Sequence, residues 1–76
     1  MILKKSYSEI LGFLGSIGVA SVVEIANGTG QHVQNTSVAI QMMELEGLVK
    51  RGTSEKDKRI SLIELTQEGK NALTQA

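Results

Sequence analysis

Cysteine, proline and tryptophan are absent from this chain of 76 residues, and tyrosine and phenylalanine occur once each. Without thiols there is no disulfide staple, no thiolate metal site and no cysteine nucleophile, and a reducing, cytoplasmic compartment is expected. With aromatic residues at 3% and apolar residues at an ordinary 41%, Leu, Ile and Val must fill the core. No apolar run approaches the roughly 18 residues of a membrane-spanning helix. The Met1–Lys5 start lacks a basic region followed by a long apolar stretch, so neither a leader nor a membrane segment is expected. Net charge is zero, so the global balance steers the chain toward no polyanion. The length suits one small domain spanning residues 1–76.

In the absence of proline, the eight glycines punctuate the chain. Ser6 and Glu9 have capping-box spacing and predict a helix start; Tyr7, Ile10, Leu11, Leu14 and Ile17 follow at helical steps as one buried stripe, and Gly18 ends it. Ser21 and Glu24 repeat the pattern ahead of Ile25 and Ala26, a short second helix expected to stop around Asn27-Gly28, with Gly28-Thr29-Gly30 as the turn. A third helix is expected from about Gln31 to Glu46, with Val33, Thr36, Ile40 and Met43 on its inner face and Gly47 closing it. Leu48–Arg51 and Ile60–Leu65 are strand-like and flank a polar stretch, Gly52 to Arg59, which predicts a hairpin. Thr66 then caps a last helix with Glu68 in its first turn, reaching Ala72 and Leu73.

Charge is unevenly placed. Lys50, Arg51, Lys56, Lys58 and Arg59 stand against Glu55 and Asp57 in segment 50–59, a local excess of three positive charges balanced by the rest of the chain. A run of this kind is either a solvated loop or a footprint for a polyanion. The third helix offers Gln31, His32, Gln34, Asn35, Ser37 and Gln41 on its polar side. Amides of that kind pair with adenine in a major groove, hydroxyls reach bases or phosphates, and Val38 on the same side suits a thymine methyl. The plain alternative is an ordinary polar helix surface. His32 is the only histidine and has no cysteine beside it, so no metal site and no cofactor are expected. Val38, Met42 and Leu45 form a second apolar strip that suits a neighbouring helix or a partner chain.

The order helix, helix, turn, longer helix, basic hairpin, helix is that of an α+β winged helix-turn-helix, with a three-helix core, a two-stranded β-hairpin wing and a C-terminal helix. Ile25-Ala26, the run Met43-Glu44-Leu45-Glu46-Gly47-Leu48-Val49-Lys50-Arg51, Asp57-Lys58-Arg59 and Leu65-Thr66-Gln67-Glu68-Gly69 resemble the DNA-binding core of MarR-type regulators, from about Ser6 to Leu73. The resemblance implies a transcriptional regulator of double-stranded DNA, with a recognition helix (about 31–46) in the major groove and a wing (about 52–59) in the minor groove. It implies that Arg59 enters the minor groove while Asp57 orients it; Lys56 and Lys58 would then sit near phosphates, and Arg51 joins them as a DNA-binding residue. The bland reading of Asp57 and Arg59 is a surface pair stiffening an exposed turn.

Two departures from the family stand out. The Asn27–Gln31 turn is polar and glycine-rich where the family places apolar residues. The long terminal helices that form the family's dimer and enclose its effector pocket have no room here, so no small-molecule effector is inferred. A homodimer is nonetheless expected, using Leu3, Tyr7 and the Val38–Met42–Leu45 strip. The competing class is a winged-helix protein–protein interaction module without direct DNA readout, favoured by the zero net charge. An enzyme is not expected, since no paired carboxylates, activated nucleophile or phosphate loop can be found.

Overall fold

The computed structural model describes residues 5–75. Its elements run α1 (Lys5–Ile17), β1 (Val19–Ser21), α2 (Val22–Thr29), α3 (Val33–Leu45), β2 (Val49–Thr53), β3 (Ser61–Leu65) and α4 (Gln67–Gln75). This is the winged helix-turn-helix order expected from the sequence, with one strand more. β1 was not foreseen; it pairs antiparallel with β3, Ala20 opposite Ile63, and makes a three-stranded sheet in the order β1-β3-β2. The expected hairpin is β2 and β3, from Val49 opposite Leu65 to Thr53 opposite Ser61.

Tyr7, Ile10, Leu11 and Leu14 bury one stripe of α1 at steps of three and four residues. Ile17, expected to extend the stripe, is 50% exposed, because α1 ends there at Gly18 (φ 93°) and the stripe has run past the edge of the core. Ser6 lies inside a helix already under way at Lys5, so it is no helix cap. Glu9 instead accepts a hydrogen bond from Gln31 Nε2 at 2.7 Å. The tyrosine hydroxyl donates to the Glu46 carboxylate; burial first, and that negative charge second, push its pKa above the ordinary phenol value.

The second capping box forms as expected. Ser21 N donates to Glu24 Oε1 at 3.0 Å, and Glu24 N donates to Ser21 Oγ at 3.2 Å. The end of α2 is later than expected, since Asn27, Gly28 and Thr29 are all helical. Gly28 does not turn the chain. A Cβ there would collide with the Phe13 ring, so the missing side chain lets α2 lie against α1. Gly30 makes the turn instead, in the left-handed region at φ 70°.

α3 starts at Val33, two residues later than expected, because Gln31 N still closes α2 by donating to Ala26 O at 3.0 Å. Thr36, Ala39, Ile40 and Met43 face the core; Val33, in the first turn, stays exposed. The core gathers these residues with the α1 stripe, Ala20, Ile25, Leu48, Val49, Ile63 and Leu65. Each aliphatic side chain taken fully from water contributes about 1.5–3 kcal/mol, which is how a core nearly free of aromatics suffices.

One polar group sits in that core without a partner among the described residues, the Thr36 hydroxyl. Farther along, Thr66 caps α4 by accepting from Gly69 N at 3.1 Å, while its own hydroxyl donates to Gly47 O. Gly69 rests on the Leu48 carbonyl, and a Cβ would strike it. Gly69→Ala should therefore destabilise the domain by about 1–3 kcal/mol. Thr36→Val, which removes an unsatisfied donor at nearly constant volume, should stabilise it by about 1 kcal/mol. Urea midpoints at unchanged slope measure both.

Candidate nucleic-acid interface

The outward face of α3 follows from its inward one. Opposite Thr36, Ile40 and Met43 run Gln34, Val38, Gln41 and Leu45 at steps of four, three and four residues, with Ser37 on one flank and Asn35 and Met42 on the other. All seven are exposed, Val38 at 61% and Leu45 at 76%. No lysine or arginine occurs between Val33 and Leu45. Seven of the expected contact residues thus lie in or just ahead of α3. Gln34, Asn35, Ser37, Val38 and Gln41 share its outer side, while His32 occupies the N-cap position. Gln31 stands in the turn, half-buried, with its side-chain nitrogen already bonded to Glu9.

The two helices of the turn begin differently. α2 has its capping box and Glu24 in the first turn. α3 has neither: His32 sits in extended backbone (φ −68°, ψ 143°) with no side-chain bond to the helix, and the first turn holds no carboxylate. The free N–H groups at this end and the positive end of the helix dipole are left uncompensated at exposed residues.

The wing is built from β2, β3 and the loop between them. Strand alternation puts Val49 and Arg51 on the side of α3 and Lys50 on the other. Arg51 Nε accordingly meets Glu44 Oε1 of α3 at 3.4 Å, and Lys50 Nζ meets Glu64 Oε1 of β3 at 3.4 Å. At the tip, Ile60 N donates to Asp57 O and Ser54 N donates to Ile60 O, both at 3.0 Å. Inside that turn Asp57 Oδ1 accepts from the backbone N–H of Arg59 at 3.0 Å. The guanidinium then binds the same carboxylate in a fork, Nε to Oδ1 at 3.0 Å and Nη2 to Oδ2 at 3.1 Å. The Arg59 side chain is 90% exposed even so. Lys56 and Lys58 are exposed and form no ion pair among the described residues.

The sequence pointed to Asp57 and Arg59 as a pair, and the geometry brings them together. It did not point to Glu44 or Glu64, the carboxylates that hold Arg51 and Lys50. Glu44 and Arg51 are seven residues apart across the Gly47 turn, and Lys50 and Glu64 meet only through strand register. The dimer material is also reduced. Tyr7 is buried and bonded to Glu46, so it offers no surface; Leu3 lies outside the described residues.

A helix-turn-helix followed by a basic hairpin and a closing helix defines a winged helix-turn-helix protein. The chain belongs to the MarR family, whose sequence profile matches residues 3–60. It is 34% identical over 62 residues to the uncharacterized HTH-type transcriptional regulator YfiV of Bacillus subtilis (strain 168), a match covering 82% of this chain and 39% of that protein. Among solved structures, the YusO protein of Bacillus subtilis superposes with a TM-score of 0.91 at 24% identity, over 95% of this chain and 51% of that one. A MarR mutant from E. coli, complexed with operator DNA, superposes with a TM-score of 0.91 at 19% identity, over 96% and 52%. This chain spans about half the length of these solved relatives. No helix among the described residues is long and apolar enough to cross a membrane.

The fork from Arg59, followed by its backbone N–H, holds the Asp57 carboxyl below its ordinary pKa. The charged carboxylate therefore contributes to the turn above the usual range near pH 4, and the contribution is lost as pH falls through the lowered value. In a carbon-detected NMR titration the Asp57 midpoint should lie below about 3.9, and Arg59→Ala should bring it back up. An unchanged midpoint in the variant would show that the fork does not persist in solution.

Proposed function

We propose that residues 1–76 act as one sequence-specific double-stranded DNA-binding domain of a cytoplasmic transcriptional regulator, and not as an enzyme. α3 occupies the major groove, and Gln34, Asn35, Ser37, Val38 and Gln41 face base edges. Gln31 and His32 stand at its entrance. The uncompensated N-terminus of α3 suits a phosphate, which supplies the negative charge that α2 takes from Glu24. The wing enters the minor groove through Arg59, oriented by Asp57, with Arg51, Lys56 and Lys58 toward the backbone. The observation that carries this reading is the Arg59 guanidinium, forked to Asp57 yet almost wholly exposed at the tip of a hairpin. A planar, permanently charged group presented in that way suits the negative potential of a narrow minor groove. Membership of a family with a member complexed with operator DNA supports the same partner.

The reading includes a homodimer; of the Val38–Met42–Leu45 strip, all of it exposed, Met42 and Leu45 lie outside the proposed base contacts. Two-fold assembly would set half-sites about one helical turn apart. No small-molecule effector is part of it.

Mobility shifts against specific and random duplex at several salt concentrations test the proposal. Affinity should fall with salt at a log–log slope of about −0.9 for each phosphate contact, with about four to six contacts per protomer. Arg59→Ala should weaken specific and random duplex alike, apart from a preference for narrow A·T tracts, and leave the fold intact. Salt-independent binding would favour a protein-docking surface instead, whereas an Arg59→Ala variant that binds every duplex as tightly as the parent would return Asp57 and Arg59 to a surface pair.

Glu44→Gln makes a separate prediction in the opposite direction. It releases Arg51 from its intramolecular carboxylate, so random-duplex affinity should rise and the salt slope should steepen by up to about 0.9. A slope identical to that of the parent would place Arg51 away from the phosphates.

A further inference from the structure

We propose that α3 reads adenine and thymine rather than guanine, with Gln34 and Gln41 taking adenine edges and Val38 seated on a thymine 5-methyl group between them. The inference rests on the placement of α3 in the major groove proposed above. The two amides and the valine lie on one outward line of the helix, four and three residues apart and all exposed. From position 34 to 41 the helix rises about 10.5 Å, which spans about three base-pair steps of 3.4 Å.

The chemistry of that line is selective. Adenine presents a donor and an acceptor side by side, the complement of one carboxamide. Guanine presents two acceptors, which call for the paired donors of arginine or lysine. α3 carries neither residue, and the nearest arginine downstream, Arg51, is held by Glu44. Val38 adds discrimination of another kind. Against a G·C edge an isopropyl group would cover polar atoms without replacing their hydrogen bonds, whereas on a thymine methyl it removes apolar surface from water. Arg59 favours the same composition independently, since narrow minor grooves belong to A·T tracts.

Selection of duplexes from a random pool by the full chain, followed by thymine-to-uracil exchange at each position of the winner, tests the assignment. Uracil keeps every hydrogen-bonding group and loses only the methyl. The selected half-site should contain a core of about three or four A·T pairs. One uracil exchange should cost about fourfold in affinity, the worth of one buried methyl. In Val38→Ala that same exchange should become nearly silent, while circular dichroism matches the parent, because Val38 is outside the core. A core of G·C pairs would overturn the inference while leaving DNA binding intact, and so would a salt-dependent specific complex indifferent to uracil everywhere. If no duplex is enriched at all, the DNA-binding reading falls and takes this inference with it.

Discussion

The Thr66 hydroxyl is the point through which the wing and the helical core are joined. It donates to Gly47 O at the end of α3 and accepts from Gly69 N in the first turn of α4, while Thr66 N donates to Leu48 O at 3.1 Å. Two segments distant in sequence are thereby held on a few atoms: the Gly47-Leu48 passage from α3 into β2, and the start of α4. Gly47, in the left-handed region at φ 79°, makes the sharp exit possible, and Gly69 brings α4 onto the Leu48 carbonyl. With both ends of the hairpin anchored there, the direction of the wing relative to α3 follows from register. The Glu44–Arg51 contact lies on the same line of force.

Electrostatics are arranged locally and not globally. Three of the five cations in segment 50–59 meet carboxylates of this chain, and among the described residues the two lysines beside the tip do not. Such exposed pairs contribute little to stability. Their effect is geometric: they give Lys50, Arg51 and Arg59 fixed starting positions and a partner that any incoming anion must displace. The capping pattern has the same local character. α2 is complete in itself, while α3 has neither a side-chain cap nor a carboxylate in its first turn.

Much of the fold was legible because its signals are short-range. The Ser21–Glu24 box, the Thr66 cap, the α1 stripe and the hairpin all declare themselves within a few residues. What was missed depends on packing. Val19-Ala20-Ser21 carries no strand pattern of its own and is a strand only because β3 lies beside it. Asn27-Gly28 carries an ordinary turn signal, yet Gly28 is used for close approach to Phe13, so α2 continues past it. At the site, Asp57 and Arg59 are two residues apart and were readable as a pair. Glu44–Arg51 and Lys50–Glu64 needed the turn geometry and the strand register, neither of which a local pattern encodes.

The sheet's two margins carry a consequence for life in a crowded solution. A chain with no net charge has no long-range self-repulsion to keep copies apart. Every open strand edge is then a template on which another copy could add itself. Here one margin is β1, only three residues long and flanked closely by α1 and α2. The other is β2, where Lys50 is charged and exposed and Gly52 weakens the strand. Neither margin offers a long, flat, apolar ladder. Colloidal stability that net charge cannot supply is thus left to the brevity of one border strand and the chemistry of the other.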